Sequence, residues 1–573
     1  MANPATVARN LPEQEFNQMK FSRLTAPLAI ASVAALALSG CAKSDRDSGG
    51  TTGSGTAGAS NATLTFGAAG APSTFDPFYG SDGETFRVSR QIFDTLVAIK
   101  PGTADPEPGL ATSWTGSSDG KEWTFNLRQG VKFSDGTALN AEAVCKNFER
   151  MDSQNQAGQS ASEYWTTVMG GYNKSADDLY QGCTTEGTDK VVLKFARASS
   201  KIPNGLSLTS LSMQSPTAME KYKANNIQAQ GDGFVQSEYA QKFPTGTGPF
   251  KFSSYDVTNK TITLVRNDDY WGEKAKVAKL VFSIIPDESQ RKQSLLAGQI
   301  DGYDLPNPTD WDSLKSAGMN LEVRPAFNIL YLGLNAKADP DLKDLKVRQA
   351  LYYAINRDQL VKSQLPSGAT VATQFMPNTV DGYNKSLQPN GYDPAKAKSL
   401  LAEAGKSNLS IDLWYPSEVS RPYMPSPIKI FNAIKADWEA VGVKVNTITK
   451  PWAGGYIDQT QAGKAPAYLM GWTGDFNNTD NFLGSFFPAT GQMDVGAYPW
   501  GQTLVNDLKT ADGTVDENAR NAAYEKINEQ IMTEYLPGLP ISSSPPAIVF
   551  GKNVTGVVAS PLTAEDFATA VKK

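Results

Sequence analysis

The sequence contains no histidine among its 573 residues. Imidazole is therefore missing as a general base, as a metal ligand and as a switch near neutral pH, and catalytic triads built on it are excluded. Cysteine is nearly as scarce, with Cys41, Cys145 and Cys183 the only three. So few thiols without imidazole cannot close a tetrahedral zinc site. No GxxxxGK[ST] loop occurs, which removes the common nucleotide-phosphate cradle. Charge of one sign is not massed anywhere: 53 Lys and Arg stand against 59 Asp and Glu, for a net charge of −6. Without a basic stripe, a nucleic-acid partner is not expected. Carboxylates are plentiful, so a hydrolase built on two acids flanking a cleft survives as a competing class.

Long apolar runs are also lacking, except one. Lys20 and Arg23 precede an apolar stretch from Leu24 to Leu38, and Ser39, Gly40 and Cys41 come directly after it. Basic, apolar and small-residue parts in that order are the layout of a secretory signal, and the stretch is shorter than the ~20 residues that span a bilayer. Residues 1–40 are expected to be removed. Leu38-Ser39-Gly40-Cys41 resembles the lipobox of bacterial lipoproteins, so Cys41 is the expected lipid attachment point; an ordinary signal with an incidental cysteine is the alternative. Residues 41–61, rich in Ser, Thr, Gly and Ala, read as a flexible tether. In an exported chain Cys145 and Cys183 are expected to form a disulfide, with two free buried thiols as the alternative.

The chain beyond the tether is long enough for more than one core. Trp123, Phe125 and Leu127 alternate with polar residues as on a half-buried strand, as do Val191, Leu193 and Phe195, which gives an α+β stretch. Thr261–Arg266 reads as another strand. Val347, Ala350, Leu351, Ala354 and Ile355 fall at helical spacing and mark a core face. A further helix opens at Asp393, a capping residue, with Pro394 in its first turn, and ends at Gly405. Strands are then expected at Ile411–Tyr415, Val443–Ile448 and Ala467–Trp472, with a helix through Phe431, Ile434, Trp438 and Val441. This alternation predicts an α/β architecture whose sheets are partly parallel. Ligands of open α/β sheets bind beyond the carboxyl ends of strands. Beyond Tyr415 the chain offers Arg421, and beyond Trp472 it offers Asp475.

Four segments in order carry a family resemblance: Phe75-Asp76-Pro77, the Gly109–Val144 stretch, GTGPFKFSSYDVTNKTITLVRNDDYWG from Gly246 to Gly272, and VRQALYYAINRD from Val347 to Asp358. Together they resemble the family-5 solute-binding proteins of ABC importers, the dipeptide- and oligopeptide-binding group. The resemblance implies a two-lobed clamp of the periplasmic-binding-protein type (type II, large three-domain form). Domain I would comprise 62–98, 206–324 and 540–573, domain II 99–205, and domain III 325–539. Residues 152–190 and 217–243 match nothing in the pattern. The family's dipeptide binders carry an Arg-Pro-Tyr motif whose arginine holds the peptide carboxylate and a Trp-x-x-Asp motif whose aspartate holds the α-ammonium. Here these are Arg421-Pro422-Tyr423 and Trp472-Thr473-Gly474-Asp475.

Guanidinium suits a carboxylate through two parallel hydrogen bonds, and a carboxylate suits an ammonium. Trp472 and Tyr423 would supply apolar walls with polar tips, beside Gly474. Read without the family, Arg421 is equally a scaffold ion pair and Asp475 a turn former. The expected protein is a monomeric, lipid-anchored peptide binder on the outer face of the membrane, in a periplasm or on a Gram-positive surface. It needs no cofactor or metal, is not an enzyme, and hands its ligand to membrane permease subunits. Other organic solutes, such as an oligosaccharide or an opine-like zwitterion, are the alternative cargo.

Overall fold

The computed structural model describes residues 61–573, apart from 173–174, 176–177, 232, 389, 418 and 490–492. Cys41, the 1–40 segment and nearly all of the 41–61 tether lie outside the described residues. Among the described residues no helix is long and apolar enough to cross a membrane.

Alternating and continuous apolar runs become the strands of three main sheets. A seven-stranded mixed sheet runs in the order Phe250–Asp256, Thr261–Arg266, Lys279–Ile284, Thr63–Ala68, Gly302–Asp304, Ala547–Phe550 and Asn320–Val323. Thr63–Ala68 pairs in parallel with both of its neighbours. A six-stranded sheet runs Thr370–Val371, Gly538–Ser543, Asn328–Leu334, Ala467–Thr473, Ser410–Ser417 and Lys444–Pro451. Its central strand, Asn328–Leu334, is buried along its whole length, as its unbroken apolar sequence requires. Ser410–Ser417 lies parallel to the strands on either side. A four-stranded antiparallel sheet contains Ala111–Gly116, Glu122–Leu127, Lys190–Phe195 and Tyr180–Thr185. The helix expected after Asp393 spans Pro394–Glu403, and the Asp393 carboxylate accepts from the Lys396 amide at 2.8 Å.

The six-stranded sheet packs into one apolar cluster, called here the second lobe, and the seven- and four-stranded sheets pack into separate clusters, called here the first lobe. The chain crosses between them twice, at 324–327 and 544–546, and the crossings are bonded to each other. The Asn328 amide group donates to the Ser544 carbonyl at 2.7 Å and accepts from the Ser544 amide at 3.1 Å, while the Arg324 amide donates to the Pro546 carbonyl at 2.8 Å. Arg324 is fully enclosed beside this hinge. Its Nη1 meets Asp304 at 2.7 Å and its Nε meets Glu565 at 2.6 Å, and Arg87 takes the other Asp304 oxygen. Two guanidiniums hold Asp304 well below the usual carboxylate range despite burial.

Two of the sequence motifs prove to be joints. Asp76 of Phe75-Asp76-Pro77 is buried and accepts from Arg150 Nη2 at 2.5 Å and Gln214 Nε2 at 3.0 Å, tying the first strand's exit to the helix Ala141–Asp152. Thr247 and Trp271, at the two ends of the Gly246–Gly272 motif, both donate to Asp94 Oδ2, at 2.7 and 2.8 Å. Asp94 closely follows the helix Gly83–Ile92, so these bonds fix where that helix stands. In the four-stranded region Cys145, on the helix Ala141–Asp152, is joined by a disulfide to Cys183, on the strand Tyr180–Thr185, with 5.3 Å between Cα atoms.

Candidate functional site: a charged interlobe cleft

Parallel pairing of Ser410–Ser417 with Ala467–Thr473 brings the carboxyl ends of the two strands to the same edge of the six-stranded sheet. The loop after the first carries Arg421 and the loop after the second carries Asp475, so opposite charges are set at neighbouring strand ends.

The Arg421 loop closes on itself through reciprocal backbone bonds between Arg421 and Met424, at 3.1 and 2.9 Å. Tyr423 then turns inward. It is 6 % exposed, and its ring lies over Gly471, where any Cβ would collide with it. Its packing over Gly471 fixes the Arg421 loop onto the strand. Arg421 stays half-buried, with its guanidinium 4.3 Å above the Trp452 ring. Its Nε is enclosed and unpartnered, and among the described residues its side chain makes no ion pair.

Asp475 faces the other lobe. The Tyr164 hydroxyl donates to its Oδ1 at 3.0 Å, and Asn481 Nδ2 stands 3.4 Å from its Oδ2. The Asp475 amide donates to Asn481 Oδ1 at 2.9 Å, and the half-buried Trp472 indole reaches the same oxygen at 3.5 Å. The carboxylate therefore does not fold back on its own turn. Gly474 donates to the Phe327 carbonyl at 2.9 Å, and a Cβ there would strike the Phe327 ring. Its contribution is close packing, with its amide already used. Asp475 keeps part of its surface open, yet the protein crowded around it displaces bulk water. This desolvation pushes its pKa up to about 6, against the opposing Tyr164 and Asn481 hydrogen bonds. Burial, and then the Asp475 charge, push the Tyr164 hydroxyl well above its ordinary value, so it is a donor at any physiological pH.

Tyr164 was not singled out by the sequence. It sits on the short helix Glu163–Met169, inside the 152–190 stretch that matched no motif, and reaches Asp475 from the other lobe. The same lobe clasps the loop beyond Asp475. Lys201 pairs with Asp480 at 3.0 Å, Asn204 donates to the Asn477 carbonyl at 2.7 Å, and Asn478 donates to the Ser200 carbonyl at 2.9 Å, while Arg197 meets Asp512, at the end of the helix Gly501–Asp512, at 3.0 Å. No group of three or more acids and thiols suited to a metal ion occurs among the described residues.

Two lobes on paired crossings, with opposite charges at adjacent strand ends, are the architecture of a solute-binding clamp. Residues 105–494 match the model for bacterial extracellular solute-binding proteins, family 5. The chain is 33% identical over 516 residues to the dipeptide-binding protein of Escherichia coli (strain K12), covering 88% of this chain and 94% of that one. It is 30% identical over 558 residues to heme-binding protein A of Haemophilus influenzae, covering 95% and 98%. Its fold is similar to that of a dipeptide binding protein from Pseudoalteromonas sp. SM9913 in complex with Met-Leu, with a TM-score of 0.76, 26% identity, and 89% and 100% of the two chains covered. The chain belongs to the family-5 extracellular solute-binding proteins of ABC importers. Proteins of this family bind solutes for transport outside the cytoplasm and are not enzymes.

Proposed function

We propose that the cleft captures short peptides, dipeptides foremost, by their charged ends: the α-ammonium on Asp475 and the carboxylate on Arg421. The observation that carries this reading is the state of Arg421, stacked on Trp452 with an enclosed Nε and, among the described residues, no acid paired with it. A desolvated guanidinium without a partner is costly, and a ligand carboxylate supplies two parallel hydrogen bonds to it. Asp475 is the complementary half, with Oδ1 held by Tyr164 and Oδ2 only weakly engaged. Fixing both ends also gauges length, because consecutive Cα atoms lie ~3.8 Å apart. Trp472 forms part of the cleft surface, while Tyr423 and Gly474 position the two loops.

Closure of the lobes about the paired crossings dries the site and strengthens both contacts. In this reading the three sheets anchor the three domains at the boundaries 62–98 with 206–324 and 540–573, 99–205, and 325–539. Cys41 carries the lipid anchor after loss of residues 1–40. The loaded, monomeric protein docks on the permease subunits of its importer. Native mass spectrometry of the protein as purified, followed by calorimetry with Ala-Ala, tests the cargo. A copurified dipeptide, or saturable one-to-one binding of Ala-Ala, supports the peptide reading. A copurified sugar or opine, with no heat from any peptide, removes it.

A further inference from the structure

Arg90, in the last turn of the helix Gly83–Ile92, is a second cation at this cleft that no motif predicted. Its Nε donates to Thr209 Oγ1 at 3.0 Å and its Nη1 to the Thr563 carbonyl at 3.1 Å. Among the described residues it makes no ion pair, and Nη2 donates to no protein atom. The guanidinium lies 5.6 Å from the centre of the Phe86 ring, Phe86 packs 5.6 Å from the Tyr164 ring, and Tyr164 holds Asp475. The arginine is thus joined to the ammonium-binding carboxylate through two aromatic rings. It also stands where the lobes meet, since Leu562, beside Thr563, packs into the apolar cluster of the six-stranded lobe.

Four groups act on Arg90 electrostatically. Desolvation pulls its pKa down to about 10, opposed by Glu565, Asp475 and Tyr164, while Arg87 on its own helix adds to the fall. Glu565 is shared, since its Oε1 also meets Arg324 at 2.6 Å and the Ser560 amide at 3.0 Å. Asp475 is the residue proposed to bind the ligand's ammonium. When that ammonium arrives, it offsets the pull of Asp475 on Arg90.

From this we infer that Arg90 reads an acidic side chain on the first residue of the bound peptide. The inference rests on the peptide reading of the same cleft. The α-ammonium and the side chain of a first residue leave one Cα, so a peptide held at Asp475 brings that side chain among the groups around it. A Glu or Asp there returns to the surroundings of Arg90 the negative charge that the ammonium offsets at Asp475. Glu163, exposed on the Tyr164 helix and acting on Asp475, is the competing group and would favour a basic first residue.

Calorimetry with Glu-Ala, Gln-Ala, Lys-Ala and Ala-Ala separates these cases. The protein is expected to bind Glu-Ala about tenfold more tightly than the isosteric Gln-Ala, the scale of one charge-assisted hydrogen bond in a wet cleft. In Arg90→Gln the ratio of Glu-Ala to Gln-Ala affinity falls to about one, with thermal unfolding showing the variant to be folded, and Arg90→Lys retains part of the ratio. Equal affinity for Glu-Ala and Gln-Ala, a preference for Lys-Ala, or a Glu-Ala preference that persists in Arg90→Gln overturns the inference. If Ala-Ala itself fails to bind, it is the peptide reading that falls, and this inference with it.

Discussion

Replacing Asp475 by Asn is expected to abolish peptide capture and at the same time make the empty protein more stable at neutral pH. The carboxyl's pKa rises from 3.8 to about 6 on folding, chiefly by desolvation. An acid whose folded pKa lies above its unfolded value costs stability as pH rises between the two, and the full cost is present above the folded value. Such a shift corresponds to about 3 kcal/mol at ~1.4 kcal/mol per unit, reduced to about 1–2 kcal/mol because the side chain keeps part of its surface in water. The amide retains an acceptor for Tyr164 and gives up only the long 3.4 Å contact with Asn481. Thermal unfolding of both proteins at pH 7.5 and pH 4.5, without ligand, measures the effect. The variant should melt higher at pH 7.5, with the gap narrowing to about a third at pH 4.5, where the folded carboxyl is protonated but the unfolded one is still largely ionised. A variant that melts lower at pH 7.5, or a gap independent of pH, refutes the reasoning.

Because only the ionised carboxylate pairs with an ammonium, dipeptide affinity should fall by up to about tenfold per pH unit below pH 6, with a plateau above it, in calorimetry across pH 4.5–8. Tyr164→Phe removes a hydrogen bond that stabilises the ionised form, so the midpoint of that profile should move to higher pH. Trp452→Ala takes away the ring beneath Arg421 and should weaken dipeptide binding about threefold to tenfold, in keeping with a cation–π contact. The double variant Cys145→Ser with Cys183→Ser should lose up to about 4 kcal/mol of stability, read by denaturant unfolding, with ligand affinity unchanged.

Local chemistry made much of this architecture readable. Asp393 and Pro394 announce a helix start because capping and proline geometry act within one turn, and the structure begins the helix there. The strands ending near Tyr415 and Trp472 were legible as apolar runs, and their parallel pairing puts Arg421 and Asp475 at one sheet edge. Tyr164 and Arg90 were not legible. Each lies on a helix far from Asp475 in sequence, and only tertiary approach brings them near it, so no spacing or periodicity encodes their roles. The packing of Tyr423 was not legible either, because it depends on the bare backbone of Gly471 beneath its ring. The hinge likewise depends on Asn328 and Ser544 meeting across 216 residues.

The central claim, that the cleft holds a peptide by both charged ends, is tested most directly by calorimetry with three ligands: Ala-Ala, N-acetyl-Ala-Ala and Ala-Ala amide. Blocking either end removes one charge and leaves most of the ligand's shape. Binding of Ala-Ala, with loss of a hundredfold or more on blocking either end, is the predicted result. Equal affinity for all three, or binding of none, contradicts it.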